Sequence, residues 1–384
     1  MITTLAVENY RSLRRLVVPL RRVNVVAGAN GAGKSSVYRS LRVLADSARN
    51  GAVAALAREG GLRSTLWAGP ENAARSDGAG THTPVGLRLG FAGDEFGYAI
   101  DFGLPNITHS MFTRDPEIKA EATWAGPVLR PATLLAERAG NAVRIRAADG
   151  GWHRVPHRLR PYDSMLSELA DPQNAAEVMA LREYIRSWRF YDHVRADAGA
   201  SARTGRIGTR TPVLSQDGSD LAAALQTIRE IGDDAAMDAA VDRAFPGSRV
   251  EITEHGGRFE LALRQPGLLR PLNCAELSDG TLRYLLWTAA LLTPRPPALL
   301  TLNEPETSLH PELLRPLAEL VVTAAEHTQI IVVTHSRQLA SGLEKGLADT
   351  PDGLQTIELV KENGATAVAG QGLLDEPPWH WPKR

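Results

Sequence analysis

The chain has 384 residues, 43% of them hydrophobic and 23% charged, enough for one large domain or two to three smaller ones. Lys plus Arg number 43 against 44 for Asp plus Glu, so the formal net charge of −1 excludes a polycationic nucleic-acid coat and an acidic tail protein alike, and any basic surface is local. A lone cysteine, Cys274, excludes an intramolecular disulfide and a thiolate zinc cluster and fits a reducing cytoplasm.

The opening MITTLAVENYRSL lacks the basic and apolar regions of a signal peptide. The most apolar stretch, Leu282 to Leu292, contains Arg283 and is too short to span a bilayer, so a cytoplasmic protein without membrane segments is expected. Short strands are predicted at Leu5 and Val7, at Leu16 to Val18, and at Val23, Val25 and Val26 running into Gly28. A helix follows, because Val37, Leu41 and Leu44 recur on one helical face. Residues 51–150 are rich in Gly, Ala and Pro and carry alternating pieces, FGYAIDFG at 96–103 and AVRIRA at 142–147, the pattern of a β-rich lobe. MLSELA, AAEVMALREYIRSW and DLAAALQTIREI predict helices within 157–245, broken by Gly, Arg and Thr at 199–212. VEITEHGGRFELAL at 250–263 is a hairpin pattern around Gly256 and Gly257. Then come an apolar run at 298–303, a helix from Pro311, an apolar run at 329–333 and a hairpin around Asn363 and Gly364. Apolar strands alternating with helices predict a mostly parallel, buried sheet. Three segments are therefore expected: 1–156 with the Gly-rich loop and the β-rich lobe, a helical insertion at 157–245, and 246–384 returning to the α/β core.

Gly28-Ala29-Asn30-Gly31-Ala32-Gly33-Lys34-Ser35 matches the P-loop pattern and stands where that chemistry needs it, after an apolar strand and ahead of an amphipathic helix. Glycines let backbone N–H groups turn toward a phosphate, and the helix N-terminus adds partial positive charge. Gly28, Asn30, Gly31, Gly33, Lys34, Ser35 and Ser36 are thus the candidates for binding ATP, with Lys34 reaching the β and γ oxygens and Ser35 ligating Mg²⁺. Only five of the 43 basic residues are Lys, so a Lys at this place is the less accidental.

In the C-terminal third, LLTLNEPE at 299–306 is a strand ending in Asn303 and Glu304, and a second strand ends in Thr334 and His335. Both ends should emerge at the carboxyl edge of the sheet, where open α/β sheets bind ligands. Glu304 could act as general base on water and His335 could hydrogen-bond a γ-phosphate, although a surface carboxylate and a helix-capping His fit the same residues. Ser278 and Gly280, in LSDGT ahead of a helical run, make an anion site or a plain N-cap.

In this order, the P-loop, LSDGT, NEPETSLHP and VVTHS resemble the ABC-type ATPase heads of the RecF and SMC-like group, particularly the AAA-type bacterial predicted ATPases related to OLD proteins. NYRSL before the first strands is similar to that group's start; the likeness covers about 1–50 and 270–345. It implies a P-loop α/β fold of ABC type, with a mixed or parallel sheet core. It also implies that Ser278 and Gly280 contact nucleotide held by a second copy, in an ATP-dependent homodimer, while Lys34, Ser35, Glu304 and His335 act within their own copy. TSLHP at 307–311 then corresponds to the D-loop. Two departures stand out: Asn303 occupies the place of the usual Walker B Asp, and the first Gln is Gln173, so the Q-loop glutamine has no counterpart. Asn303, able to hydrogen-bond a metal-bound water but not to add charge, predicts slow hydrolysis.

Between Arg182 and Arg210 seven Arg face Glu183, Asp192 and Asp197, a stripe that could neutralise DNA phosphates while Trp188, Phe190 and Tyr191 stack on bases. The same aromatics at this spacing also suit a core. The expected role is an ATPase in DNA maintenance or anti-phage defence; the alternative is an ATP-dependent clamp or scaffold of negligible turnover that regulates a separate effector. A membrane importer subunit is disfavoured by the insertion and the missing Gln, and a nuclease in this chain by the lack of clustered carboxylates after His335.

Overall fold

The computed structural model describes residues 1–69, 86–105, 111–147, 149–156, 158–192, 194–372 and 374–384. It divides into two compact units, Met1–Arg21 with Val26–Trp188 and Gln355–Arg384, and Arg22–Val25 with Arg189–Leu354. The chain passes between these units after Arg21, Val25, Trp188 and Leu354. The stretches 70–85 and 106–110 of the expected β-rich lobe lie outside the described residues.

In chain order the elements begin with strands β1 (Ile2–Tyr10), β2 (Leu13–Pro19) and β3 (Val23–Gly28), then helices α1 (Lys34–Asn50), α2 (Ala52–Arg58) and α3 (Leu62–Thr65). Strands β4 (Gly86–Gly93), β5 (Phe96–Gly103), β6 (Glu117–Ala125), β7 (Leu134–Ala139), β8 (Ala142–Arg146) and β9 (Trp152–Arg154) follow, then α4 (Met165–Glu168) and α5 (Ala176–Ser187). Next come β10 (Arg189–Tyr191), β11 (Arg206–Ile207), α6 (Leu221–Ile231), α7 (Asp234–Ala244), β12 (Arg249–His255), β13 (Arg258–Arg264) and β14 (Leu272–Asn273). The series ends with α8 (Asp279–Leu291), β15 (Leu299–Asn303), α9 (Leu314–Ala324), β16 (Gln329–Val333), α10 (Arg337–Gly346), β17 (Leu354–Glu362) and β18 (Ala365–Val368).

The first unit is built on an eight-stranded sheet in the order β2-β1-β4-β5-β6-β7-β8-β9, antiparallel at every pairing. It contains the β-rich lobe expected from residues 51–150, joined to the first two strands of the chain. Parallel neighbours need a long crossover, usually helical, and no helix is described between β4 and β9, so these strands can only fold back on one another. Helix α1 packs on β1 and β4 as well as on α2, α4 and α5, and its Val37, Leu41 and Leu44 are buried. Ala92, Ala99, Ala122 and Trp124 form a second apolar cluster, covered in part by Trp379 and Trp381. Each large side chain so buried contributes roughly 1.5–3 kcal/mol.

The second unit contains the parallel strands. β10, β15 and β16 lie side by side in that order, with Leu300 opposite both Arg189 and Ile330. Beside β16 runs the start of β3, fixed by the Ile330 N–H on the Arg22 carbonyl at 2.9 Å and the Asn24 amide on the Ile330 carbonyl at 3.3 Å. Leu300, Leu302, Ile330 and Val332 enter one continuous core with α6 to α9. The expected hairpin at Gly256 and Gly257 is present as β12 and β13, which pair from Arg249↔Arg264 to His255↔Arg258. Among the described residues no helix is long and apolar enough to cross a membrane.

Candidate functional site

The P-loop leaves β3 and enters α1 inside the first unit, and its glycines are dictated by geometry. Gly28, Gly31 and Gly33 have φ of 142°, 77° and 111°, values that a Cβ makes costly. A Cβ on Gly28 would overlap the Leu359 carbonyl oxygen of β17, and one on Gly33 would overlap Thr366 Oγ1 and lie 2.9 Å from Ser12 Oγ, whereas Gly31 faces open space. Backbone packed closely on one side and open on the other fits a phosphate-binding loop. Lys34 is 5% exposed, and its Nζ donates to the carbonyls of Gly28 and Ala29 at 2.8 and 3.0 Å. Asn30 and Ser35 are exposed at the loop, while Ser36 is buried one residue further on.

Sequence reasoning missed what braces this loop. Thr366 Oγ1, from β18, donates to the Ala32 carbonyl at 2.7 Å and lies 2.8 Å from Ser12 Oγ, while its N–H donates to the Ser12 carbonyl at 2.8 Å. Ser12 belongs to NYRSL, so that segment supports the loop directly. Arg11 in the same turn, at φ 50°, is ion-paired to Glu59.

The second unit brings together Asn303, Glu304 and His335 at the carboxyl ends of β15 and β16, with Asn303 opposite Val333 in the ladder. Glu304 Oε1 lies 3.5 Å from His335 Nε2, both side chains being about half exposed. The Glu304 backbone is left-handed, φ 47°, and held there by its N–H on the Val333 carbonyl at 2.8 Å and by Thr307 N–H on its own carbonyl at 3.1 Å. A non-glycine residue in this region costs roughly 1–3 kcal/mol, a strain that concentrates at functional sites.

No local sequence pattern marks Glu306, yet it ties the two strand ends together. Its Oε1 accepts Thr334 Oγ1 at 2.6 Å, His335 N–H at 2.8 Å and Ser336 N–H at 3.2 Å. The backbone of His335 is therefore set by a carboxylate two residues from Glu304. The only sequence signal was a second acid in NEPE, which has no distinctive spacing.

Ser278 caps α8, with its Oγ accepting from Thr281 N–H at 3.1 Å, and it remains exposed. Gly280 faces the 307–311 segment closely enough that a Cβ would sit 2.9 Å from the Ser308 carbonyl oxygen. One cavity of about 500 Å³ is lined by Asp279, Arg283, Asn303, Glu304, Thr307 and Ser308 among others. Trp287, one turn beyond Arg283, donates its indole N–H to the Pro305 carbonyl at 3.0 Å and carries the Arg283 guanidinium over its ring at 5.7 Å. Burial lowers the pKa of Arg283, against the pull of Glu306 and Glu304.

Of the two readings of the 182–210 stretch, the aromatics follow the core one. Trp188, Phe190 and Tyr191 are at most 1% exposed, so none can stack on a base. Arg182 donates to the carbonyls of Leu166, Ser167 and Leu169, Arg186 to that of Ala48 and to Glu183, and Arg195 pairs with Asp197. The sequence could not separate core from surface here because β10 is only three residues long.

A family described as "AAA domain, putative AbiEii toxin, Type IV TA system" matches residues 23–341. No curated protein matches the chain. Among solved structures, the chain is similar to that titled "Crystal structure of the SmcHead bound to the C-winged helix domain of ScpA", at 13% identity and a TM-score of 0.53, covering 97% of this chain and 98% of that one. An SMC head domain from Thermotoga maritima matches at 14% identity and a TM-score of 0.44, over 97% and 99% of the two chains. A Smc head domain with an extended coiled coil, bound to the C-terminal domain of ScpA derived from Pyrococcus furiosus, matches at 13% identity and 0.48, over 96% and 95%. The first of these likenesses shows the fold expected from the motifs. The chain belongs to this AAA family and has the α/β fold of an ABC-type, SMC-like ATPase head.

Proposed function

We propose that the chain binds and hydrolyses ATP as an ATP-gated, head-to-tail homodimer in the cytoplasm, serving DNA maintenance or anti-phage defence. The observation that carries this reading is the start of α8: Ser278 and Asp279 are exposed and Gly280 half-buried, so this helix N-terminus can accept an anion presented by another molecule. ATP held by Gly28, Asn30, Gly31, Gly33, Lys34, Ser35 and Ser36 of one copy would meet Ser278 and Gly280 of the other. Ser35 would hold Mg²⁺, with Asn303 hydrogen-bonded to a metal-bound water; when bound, the ion neutralises phosphate charge. Glu304 takes a proton from the water that attacks the γ-phosphorus in line, and the bond to the bridging oxygen breaks to leave ADP. His335 hydrogen-bonds the transferring phosphoryl group. Departure of that phosphate removes the ligand shared by the two copies, which then separate. The SMC head structure solved with a domain of ScpA supports a separately encoded partner or effector for this chain as well.

A second reading, an ATP-dependent clamp of negligible turnover, is favoured by Asn303, which supplies no negative charge beside Glu304. Phosphate release decides between them. Release by the wild-type chain well above that of Lys34→Ala supports hydrolysis; equal release with ATP still bound by the wild type alone supports the clamp.

A further inference from the structure

Arg203 ends a 3-10 turn, Ser201–Arg203, and its side chain is only 8% exposed. Its Nε donates to the carbonyls of Ala196 and Asp197 at 3.1 and 3.0 Å. Nη1 donates to those of Cys274, Ala275 and Leu277 at 3.1, 3.3 and 2.7 Å, and Nη2 to the Ala196 carbonyl and the Asp279 carboxylate, both at 2.7 Å. All three nitrogens of one guanidinium are thus spent on the 196–197 loop and on the segment that leads into α8.

That segment needs an external hold. Between the 3-10 turn Cys274–Glu276 and the first residue of α8, Leu277 and Ser278 belong to no helix or strand, so side chains set their path. Upstream, Asn273 and Glu276 form a capping box, and Arg270 pairs with Glu276 at 2.7 Å. Downstream, Arg203 alone takes the Leu277 carbonyl in the described hydrogen bonds. A planar fork can fix three carbonyls and a carboxylate at once, which a flexible ammonium cannot.

Charge adds a second reason. Asp279 opens α8, where an acid favours the helix dipole. The same carboxylate, one residue from both Ser278 and Gly280, would repel a triphosphate arriving at that helix start. Its pairing with Arg203 would offset part of this repulsion at the point of contact.

We infer that Arg203 is a positioning residue of the Leu277–Thr281 signature, fixing the path of Cys274–Ser278 and neutralising Asp279 so that the Ser278 hydroxyl and Gly280 N–H can receive the phosphate of a nucleotide held by a second copy. The inference rests on the head-to-tail reading above. Arg203 touches no nucleotide itself. It also lines a cavity of about 430 Å³ with Ser219, Phe259 and Asn273, which lets water reach the exposed carbonyls when the side chain is truncated, so Arg203→Ala should fold.

Subunit mixing tests this. Arg203→Ala alone should lose about 100-fold in ATP turnover, the penalty for misplacing a contact group by about an ångström, while binding a fluorescent ATP analogue as the wild type does, because its P-loop is untouched. Lys34→Ala has the complementary defect. In a mixed dimer one composite site joins the intact P-loop of the Arg203→Ala chain to the intact signature of the Lys34→Ala chain, so turnover should return although neither variant turns over alone. Ser278→Arg mixed with Lys34→Ala is the control for the head-to-tail reading itself. Recovery in both mixtures supports the inference. Recovery in the control but not with Arg203→Ala means that the damage extends beyond the signature and overturns the inference, leaving the dimer reading intact; wild-type turnover by Arg203→Ala does the same. Recovery in neither overturns the dimer reading and the inference with it. If circular dichroism shows Arg203→Ala unfolded, Arg203→Lys, which keeps a charge beside Asp279 but not the fork, replaces it in the same mixtures with the same criteria.

Discussion

At Glu304 the chain turns through a left-handed conformation, φ 47°, directly after a strand whose residues are otherwise extended, and this swings a carboxylate toward His335 at 3.5 Å. The residue before it, Asn303, makes the site chemically unusual. A carboxylate there would replace a neutral hydrogen bond of about 0.5–1.5 kcal/mol with a charge-assisted one of about 1.5–3 kcal/mol on a metal-bound water. Asn303→Asp is therefore expected to turn over ATP faster and to need roughly tenfold less Mg²⁺ for half-maximal rate, a difference of about 1.4 kcal/mol. Steady-state phosphate release over a Mg²⁺ titration checks this, and unchanged values would mean that Asn303 does not limit turnover. Lys34, Ser35 and Glu304 can be singled out in the sequence because their motifs have fixed spacing. Glu306 and Thr366 stayed hidden, since each acts through a tertiary contact, on Thr334 to Ser336 and on Ala32 respectively, that no local pattern announces.

Helices and strands with strong periodicity were readable one by one: α1 from Val37, Leu41 and Leu44, and β12 with β13 from alternation about two glycines. What periodicity cannot give is the neighbour of each strand. β1 pairs with β4 across more than seventy intervening residues, which joins the strands before the P-loop to the lobe after it and makes the largest sheet antiparallel. β10 is hard to read because three residues carry no period, although the burial of Phe190 and Tyr191 agrees with the core reading of those aromatics. The loop between β3 and α1 offers a test at this scale. Gly33→Ala meets both a left-handed φ, costing roughly 1–2 kcal/mol, and overlap with Thr366; Gly31→Ala meets the φ penalty in open space. Thermal unfolding should show a larger drop in Tm for Gly33→Ala than for Gly31→Ala, with ATP binding lost in the former. Equal drops would mean that the Ser12 and Thr366 brace has no influence on the loop.

The P-loop lies in the first compact unit and the Ser278, Glu304 and His335 group in the second, and β3 begins in one and ends in the other. Fold class followed from the order of motifs, whereas the proposed role turns on a second copy that no single chain displays. Glu304→Gln keeps the size and hydrogen-bonding reach of the side chain and removes its basicity, a change worth roughly 10²- to 10⁴-fold in rate for a general base. A variant that binds ATP without cleaving it should accumulate in the joined state. Light scattering of Glu304→Gln after size exclusion, with and without ATP and Mg²⁺, is the most direct measurement: the head-to-tail account predicts a mass twice 41.5 kDa only with ATP and Mg²⁺, and a mass that is the same with and without nucleotide would contradict it.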